Sequence, residues 1–209
     1  MSEFFMLTLV GALMIISPGP DFAVVVKNSI AYGRSSGVCA SLGVALANLC
    51  HVAVNLLGIG VIISKSAMAF TAMKILGASY LIYLGVKGLS TKPAVKLETV
   101  PETSVGVKNQ SLNNAFYSGF LTSLLNPKAC LFYLSFFSVI LSKATPLTTQ
   151  ISYGIWISIM AFLWFMLVSI FFTSPVISQR IQAFKHWLER FTGGVLILLG
   201  LKLLSSEVS

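Results

Sequence analysis

The chain has 209 residues, 56% of them hydrophobic and only 10% charged, with a formal net charge of +8. Soluble domains carry about 25% charged residues, so this composition excludes an ordinary water-facing surface, and the exterior has to meet something apolar. The basic excess does not point to nucleic acid, because the lysines and arginines fall between apolar runs, with few aromatics near them and no zinc-finger spacing.

A helix that crosses a bilayer needs about 20 mostly apolar residues, and the chain offers six such runs. The first, Phe4 to Val26, has no basic stretch before it and no small-residue cleavage site, so it is expected to be a retained span and not a signal peptide. Span 2 covers Gly37 to Ile63 and span 3 Ala67 to Leu89. A polar stretch from Ser90 to Gln110, with Pro93, Pro101 and Gly106, then divides the chain almost in half. Span 4 covers Phe116 to Leu141, span 5 Leu147 to Thr173 and span 6 Trp187 to Leu204. Lys74 interrupts the start of span 3, and Lys185, Glu189 and Arg190 precede the apolar part of span 6. Both spans are open to starting as amphipathic turns at the interface.

The basic residues give an orientation, since cytoplasmic loops carry the excess of lysine and arginine. One side receives Lys27, Arg34, Lys87, Lys92, Lys96, Lys108, Arg180, Lys185 and Arg190; the other receives Lys65, Lys74, Lys143 and Lys202. Lys128 falls inside span 4. The richer side is expected to be cytoplasmic, which puts both termini outside and the long loop inside.

The two halves resemble each other. Leu84-Gly85-Val86-Lys87 near the end of span 3 matches Leu199-Gly200-Leu201-Lys202 near the end of span 6. In the same register Leu81-Ile82 match Leu196-Ile197, and Ser90 matches Ser205. Three spans per half make the second half enter the membrane from the opposite side, an inverted-topology repeat of the kind found in secondary transporters. The expected fold is therefore an all-α integral membrane protein of six transmembrane helices in two inverted three-helix repeats. It forms a single domain over 1–209, with repeat 1 at about 1–90, a cytoplasmic loop at 91–113 and repeat 2 at about 114–209.

Each half also carries a break. Span 1 contains Ser17-Pro18-Gly19-Pro20-Asp21, and span 4 contains Leu125-Asn126-Pro127-Lys128. Proline removes a backbone donor and clashes with the preceding turn. The backbone groups freed in this way must face protein or a water-filled cavity. Breaks at matching places in two halves point to a transport site, although plain structural kinks are the bland alternative.

Aligning Pro20 with Pro127 sets Asp21 opposite Lys128. Asp21 is the only acidic residue inside the apolar part of a run, Glu189 and Glu207 flanking the apolar part of the sixth. A charge in the bilayer costs about 2.5–3.5 kcal/mol on insertion scales, so it is kept only if paired, solvated or used. The two groups form a structural ion pair, or bind the ammonium and carboxylate of a zwitterionic solute, or Asp21 titrates and couples protons; the bland reading is that both snorkel to the interface. In span 2, Asn48, His51 and Asn55 share one helix face, with Ser41 nearly on it. His51 is a proton-coupling candidate beside Asp21, although a hydrogen-bonded packing role is the commoner one. Ser118, Thr122 and Asn126 repeat every four residues along span 4 and suggest a polar seam leading to the break. Tyr80, Tyr83, Trp156 and Trp164 fit packing or interface anchoring better than a solute cage. Cys39, Cys50 and Cys130 are odd in number and form no Cys-x-x-Cys pair, which suits packing.

Ser17-Pro18-Gly19-Pro20-Asp21 resembles the hallmark of the LysE/RhtB amino-acid exporters. The region from Gly33 to Gly43, the Leu84-Gly85 segment and Leu125-Asn126-Pro127-Lys128 resemble the same family, so the likeness covers nearly the whole chain. Asp21 after the second proline is most similar to the homoserine/threonine branch. The resemblance implies a transporter, not an enzyme, that exports small amino acids across the bacterial inner membrane in exchange for protons and without a cofactor. Its partners are then a small amino acid, protons and the lipid bilayer, with a homodimer possible through a glycine-bearing helix face. The implied substrate-binding set is Ser17, Pro18, Gly19, Pro20, Asp21, Asn48, Asn126, Pro127 and Lys128. Two alternatives come from the same superfamily. A thiol relay would carry a cysteine in each half, but the position matching Cys130 is Ala23; a metal exporter would show more ligands than His51 and His186, which lie far apart.

Overall fold

The computed structural model describes residues 2–65, 67–90, 110–140, 145–171, 187, 189–198, 200–201 and 204–205. Seven helices follow in order: α1 (Ser2–Ile16), α2 (Pro20–Tyr32), α3 (Arg34–Lys65), α4 (Ala67–Leu89), α5 (Leu112–Leu124), α6 (Pro127–Ile140) and α7 (Leu147–Phe171). The described residues between 187 and 205 are helical as well, and no strand occurs among the described residues. The polar stretch between the halves, apart from Ser90 and Gln110, lies outside the described residues, as do Leu141, Thr173, Lys185, His186, Leu199 and Lys202.

The stretch Arg34–Gly58 of α3 and the whole of α7 are each long and apolar enough to cross a bilayer; α1 and α2, bent 53° at their break, make a third span if taken together. The outer surface matches that reading. Leu57 is 73% exposed and Leu76 68% exposed, which water would penalise at about 25 cal/mol per Å² and lipid does not.

Lipid gives no hydrophobic drive for helices to associate, so close packing at small residues has to hold them together. α3 runs through the middle, packed against α5, α7 and α2. Its crossing with α5 is backbone on backbone. A Cβ on Gly119 would run into the Ala40 carbonyl oxygen, and one on Gly43 would lie 2.7 Å from the Phe120 amide nitrogen. Larger side chains fill the space between, with Leu7, Phe132, Tyr133, Phe137 and Ile157 all buried.

The crossing of α4 with the C-terminal helical segment is also glycine-based and is reciprocal. A Cβ on Gly85 would lie 2.6 Å from the Gly193 carbonyl oxygen and 2.5 Å from Ile197 Cγ1. One on Gly200 would lie 2.9 Å from the Ala78 carbonyl oxygen and 2.7 Å from Ile82 Cγ1. Gly85 and Gly200, and Ile82 and Ile197, are partners in the sequence match between the halves, so each half presents the same residue to the other.

Helix ends shift relative to expectation, for local reasons. Span 1 was expected to end at Val26, before Lys27, but α2 runs on to Tyr32. It stops where Gly33 takes φ +87°, with the Gly33 N–H returning to the Ser29 carbonyl at 3.1 Å. That left-handed conformation favours glycine. α4 is a continuous helix from Ala67 to Leu89, with its apolar stretch from Ile75 onward.

Candidate functional site

The two breaks share one design. In the first, Gly19 is the N-cap of α2, Pro20 its first residue and Asp21 its second. In the second, α5 ends at Leu124 and α6 starts at Pro127, so Asn126 takes the capping position and Lys128 the second. Proline suits the first helical position, where its missing N–H is an orphan in any case. The Ala23 N–H reaches the Gly19 carbonyl at 2.9 Å, and the Cys130 N–H reaches the Asn126 carbonyl at 3.0 Å. Both helices therefore restart in the same way.

The capping bond fixes the orientation of Asn126. Its Oδ1 accepts from the Lys128 backbone N–H at 3.0 Å, the usual role of an N-cap side chain. The Nδ2 is left to donate, and it reaches Asp21 Oδ1 at 2.9 Å. The other carboxylate oxygen accepts from Ser123 Oγ at 3.2 Å. From the opposite direction, the Lys128 ammonium donates to Ser17 Oγ at 2.8 Å, to the Ser17 carbonyl at 3.2 Å and to the Pro18 carbonyl at 3.5 Å. Each charge thus ties down the broken stretch of the other half. Gly19 lies against the same ammonium: a Cβ there would make an ordinary contact, 3.4 Å, with Lys128 Nζ.

A small, half-open cleft lies at this crossing, with about 320 Å³ of empty space once its open mouth is counted. Ser17, Gly19, Asp21, Asn48, Asn126 and Lys128 contribute its polar lining. Met14, Ile15 and Phe165 contribute its apolar wall. Six of the nine residues expected to bind substrate therefore lie around one space. The other three are the prolines; Pro20 and Pro127 start the helices, and Pro18 offers its carbonyl to Lys128.

His51 does not line the cleft but supports it from behind. Its Nε2 lies 3.0 Å from the Ser123 carbonyl. In an unbroken helix that oxygen would accept from residue 127, which is proline and has no N–H. The imidazole supplies a donor in its place, and since a carbonyl only accepts, Nε2 carries the proton in this bond. The ring stacks on Tyr133 at a centroid distance of 5.7 Å. Asn55 and Ser41, on the same stripe, return their side chains to the His51 and Gly37 carbonyls.

Four contributors were not singled out in the sequence: Ser123, Met14, Ile15 and Phe165. The four-residue spacing of span 4 pointed to Thr122, but α5 ends at Leu124, so Asn126 is out of phase with it. Ser123 follows Ala115 and Gly119 at four-residue steps on the buried face of α5, and that run of small residues was the available signal. Trp156 and Tyr80, read as anchors, bond to Thr8 Oγ1 at 3.1 Å and pack on Tyr83. Cys39 and Cys50 are half-buried, Cys130 is exposed and all three are free thiols.

Apolar helices around a cleft made from two capped, broken helices define a multi-pass helical membrane protein with a central polar site. Residues 12–207 match the family model described as LysE type translocator. The chain belongs to that family, as its motifs suggested. Among its relatives, the threonine efflux protein of Escherichia coli strain K12 is 28% identical over 204 residues, 98% of each chain. The uncharacterized membrane protein YrhP of Bacillus subtilis is 29% identical over 197 residues, 92% of this chain and 94% of its own. The leucine efflux protein of Salmonella choleraesuis is 35% identical over 141 residues, 67% of this chain and 64% of its own. No solved structure matches the chain.

Proposed function

We propose that this protein is a secondary transporter that exports small, threonine- or homoserine-like amino acids from the cytoplasm by proton antiport. The observation that carries the proposal is the meeting of Asp21 and Lys128 at one cleft, each on the second residue of a restarted helix. A zwitterion needs one group of each sign, with Asp21 for the ammonium and Lys128 for the carboxylate. Two helix N-termini at the cleft add positive potential for the carboxylate. Lys128 is itself disfavoured at a helix N-terminus, and a cation held there against the dipole fits a group kept for use. Relatives named for threonine and leucine efflux support the same solute class.

The hydrogen bonds of Asp21 support proton coupling. The Asp21 carboxylate accepts from Ser123 and Asn126. Once protonated, the carboxyl gains a donor and keeps less acceptor capacity, so the bond to Ser123 has to reverse and the contacts between the halves rearrange. Protonation and helix movement are thereby linked. His51 serves this arrangement as a packing residue at the Ser123 carbonyl. Six spans in two inverted repeats, rocking about the cleft, give alternating access; the reciprocal contacts of Gly85 and Gly200 support such a pseudo-twofold relation.

The test is transport in proteoliposomes loaded with threonine, with and without an imposed proton gradient. Asp21→Asn keeps the shape but removes the charge, and a lost charge-assisted bond of about 1.5–3 kcal/mol lowers export by roughly ten- to a hundredfold. The residual flux no longer responds to the gradient. Undiminished export by inserted Asp21→Asn protein rules out Asp21 as the coupling group.

A further inference from the structure

The polar stripe of α3 contains one side chain that the structure leaves without a partner. Ser41, His51 and Asn55 each reach a backbone carbonyl. Asn48 is only 4% exposed and faces the cleft, and among the described residues no hydrogen bond reaches its carboxamide. The carboxamide is not one of the polar groups closed off without a partner, so it opens on to the cleft, and its partner is expected to come from whatever fills that space.

The chemistry of the cleft narrows what that is. An α-amino acid brings an ammonium, a carboxylate and a side chain. The proposed function assigns the first two to Asp21 and Lys128, and the present inference rests on that reading. What is left for the side chain is Asn48 beside an apolar wall of Met14, Ile15 and Phe165. A carboxamide both donates and accepts, and so does a hydroxyl. The apolar wall suits the methyl or methylene groups that accompany it. We infer that Asn48 is the specificity-determining residue of this site and reads a hydroxyl on the side chain of a small amino acid.

The physical basis is an asymmetry of recognition. An apolar pocket discriminates weakly between substrates of one shape, whereas a site built to hydrogen-bond a hydroxyl strongly rejects the analogue that lacks it, because its own polar group is then left unpaired. Threonine and valine have nearly the same shape and differ by a hydroxyl in place of a methyl group, which makes them the appropriate probes.

The experiment loads threonine and valine together into the same proteoliposomes and follows the efflux of both. Their ratio does not depend on how much protein has inserted. The wild type is expected to favour threonine by about tenfold or more. Asn48→Leu, similar in size and apolar, is expected to bring the ratio to within about threefold of unity. Asn48→Ala tests the same point with a small residue suited to a membrane helix, should the leucine variant insert poorly. Equal export of threonine and valine by the wild type overturns the assignment, as does a ratio that survives in either variant. Export of neither amino acid by the wild type overturns the proposed function itself, which separates the two failures.

Discussion

His51 admits two roles, and its contact with the Ser123 carbonyl supports the packing one. A histidine in a membrane span invites a proton-carrying role, but here the imidazole stands in for the amide that Pro127 lacks, donating to Ser123 across the interface of α3 and α5. That role predicts a split between two variants. His51→Gln keeps a donor within reach and is expected to retain most of the stability and the proton-dependent flux. His51→Phe keeps the stack on Tyr133 but leaves Ser123 with only the Asn126 N–H at 3.0 Å. Its expected cost is about 1 kcal/mol, a drop of roughly 2–4 °C in the melting temperature in detergent. Loss of proton dependence in His51→Gln would restore the carrier role. Much at this scale was legible in the sequence: Asp21, Lys128, Asn48 and Asn126 were identified because a polar group within an apolar run needs a reason. Met14, Ile15 and Phe165 were not, since an apolar side chain on a cleft wall looks like any other in a chain this hydrophobic.

At the scale of elements, the breaks were legible because proline and glycine act on the backbone wherever they stand. Pro20 and Pro127 start α2 and α6 irrespective of the surroundings. The helix ends were less so. The end of α2 depends on a single left-handed glycine, Gly33, and not on where the hydropathy falls. The same distinction separates the glycines in helices. Gly119 lies against the Ala40 backbone, whereas a Cβ on Gly58 would meet nothing within 4 Å. Gly119→Ala is therefore expected to push α5 off α3 and cost about 1–3 kcal/mol. Gly58→Ala is expected to gain about 0.5–1 kcal/mol, since alanine is the better helix former. Melting curves of the two purified variants in one detergent measure the contrast, and similar shifts of the same sign would contradict the close crossing. Nothing local in the sequence separates these two glycines; only the partner helix does.

For the whole molecule, the proposed inverted arrangement predicts which way the chain faces. Lys27 and Arg34 flank the junction of α2 and α3 at Gly33, and Lys87 lies in the last turn of α4. If α3 and α4 cross in opposite directions, these three charges meet on one face of the membrane. That is the face expected to be cytoplasmic, because positive charges in short loops resist translocation. An odd number of spans per half then carries the second repeat in from the cytoplasmic side, and with six spans both termini end outside. Under the proposed inversion, two helix N-termini would approach the centre from opposite faces, which would let Asp21 and Lys128 meet although they stand at matching positions. A reporter pair tests the orientation without reference to transport. Alkaline phosphatase fused after Ser209 is expected to be active and a fluorescent protein fused there dark, while the same fluorescent protein inserted between residues 100 and 101 is expected to be bright. A bright C-terminal fusion would mean an odd number of spans or a reversed chain. An odd number would remove the proposed inversion, whereas a reversed chain would keep it and overturn only the orientation.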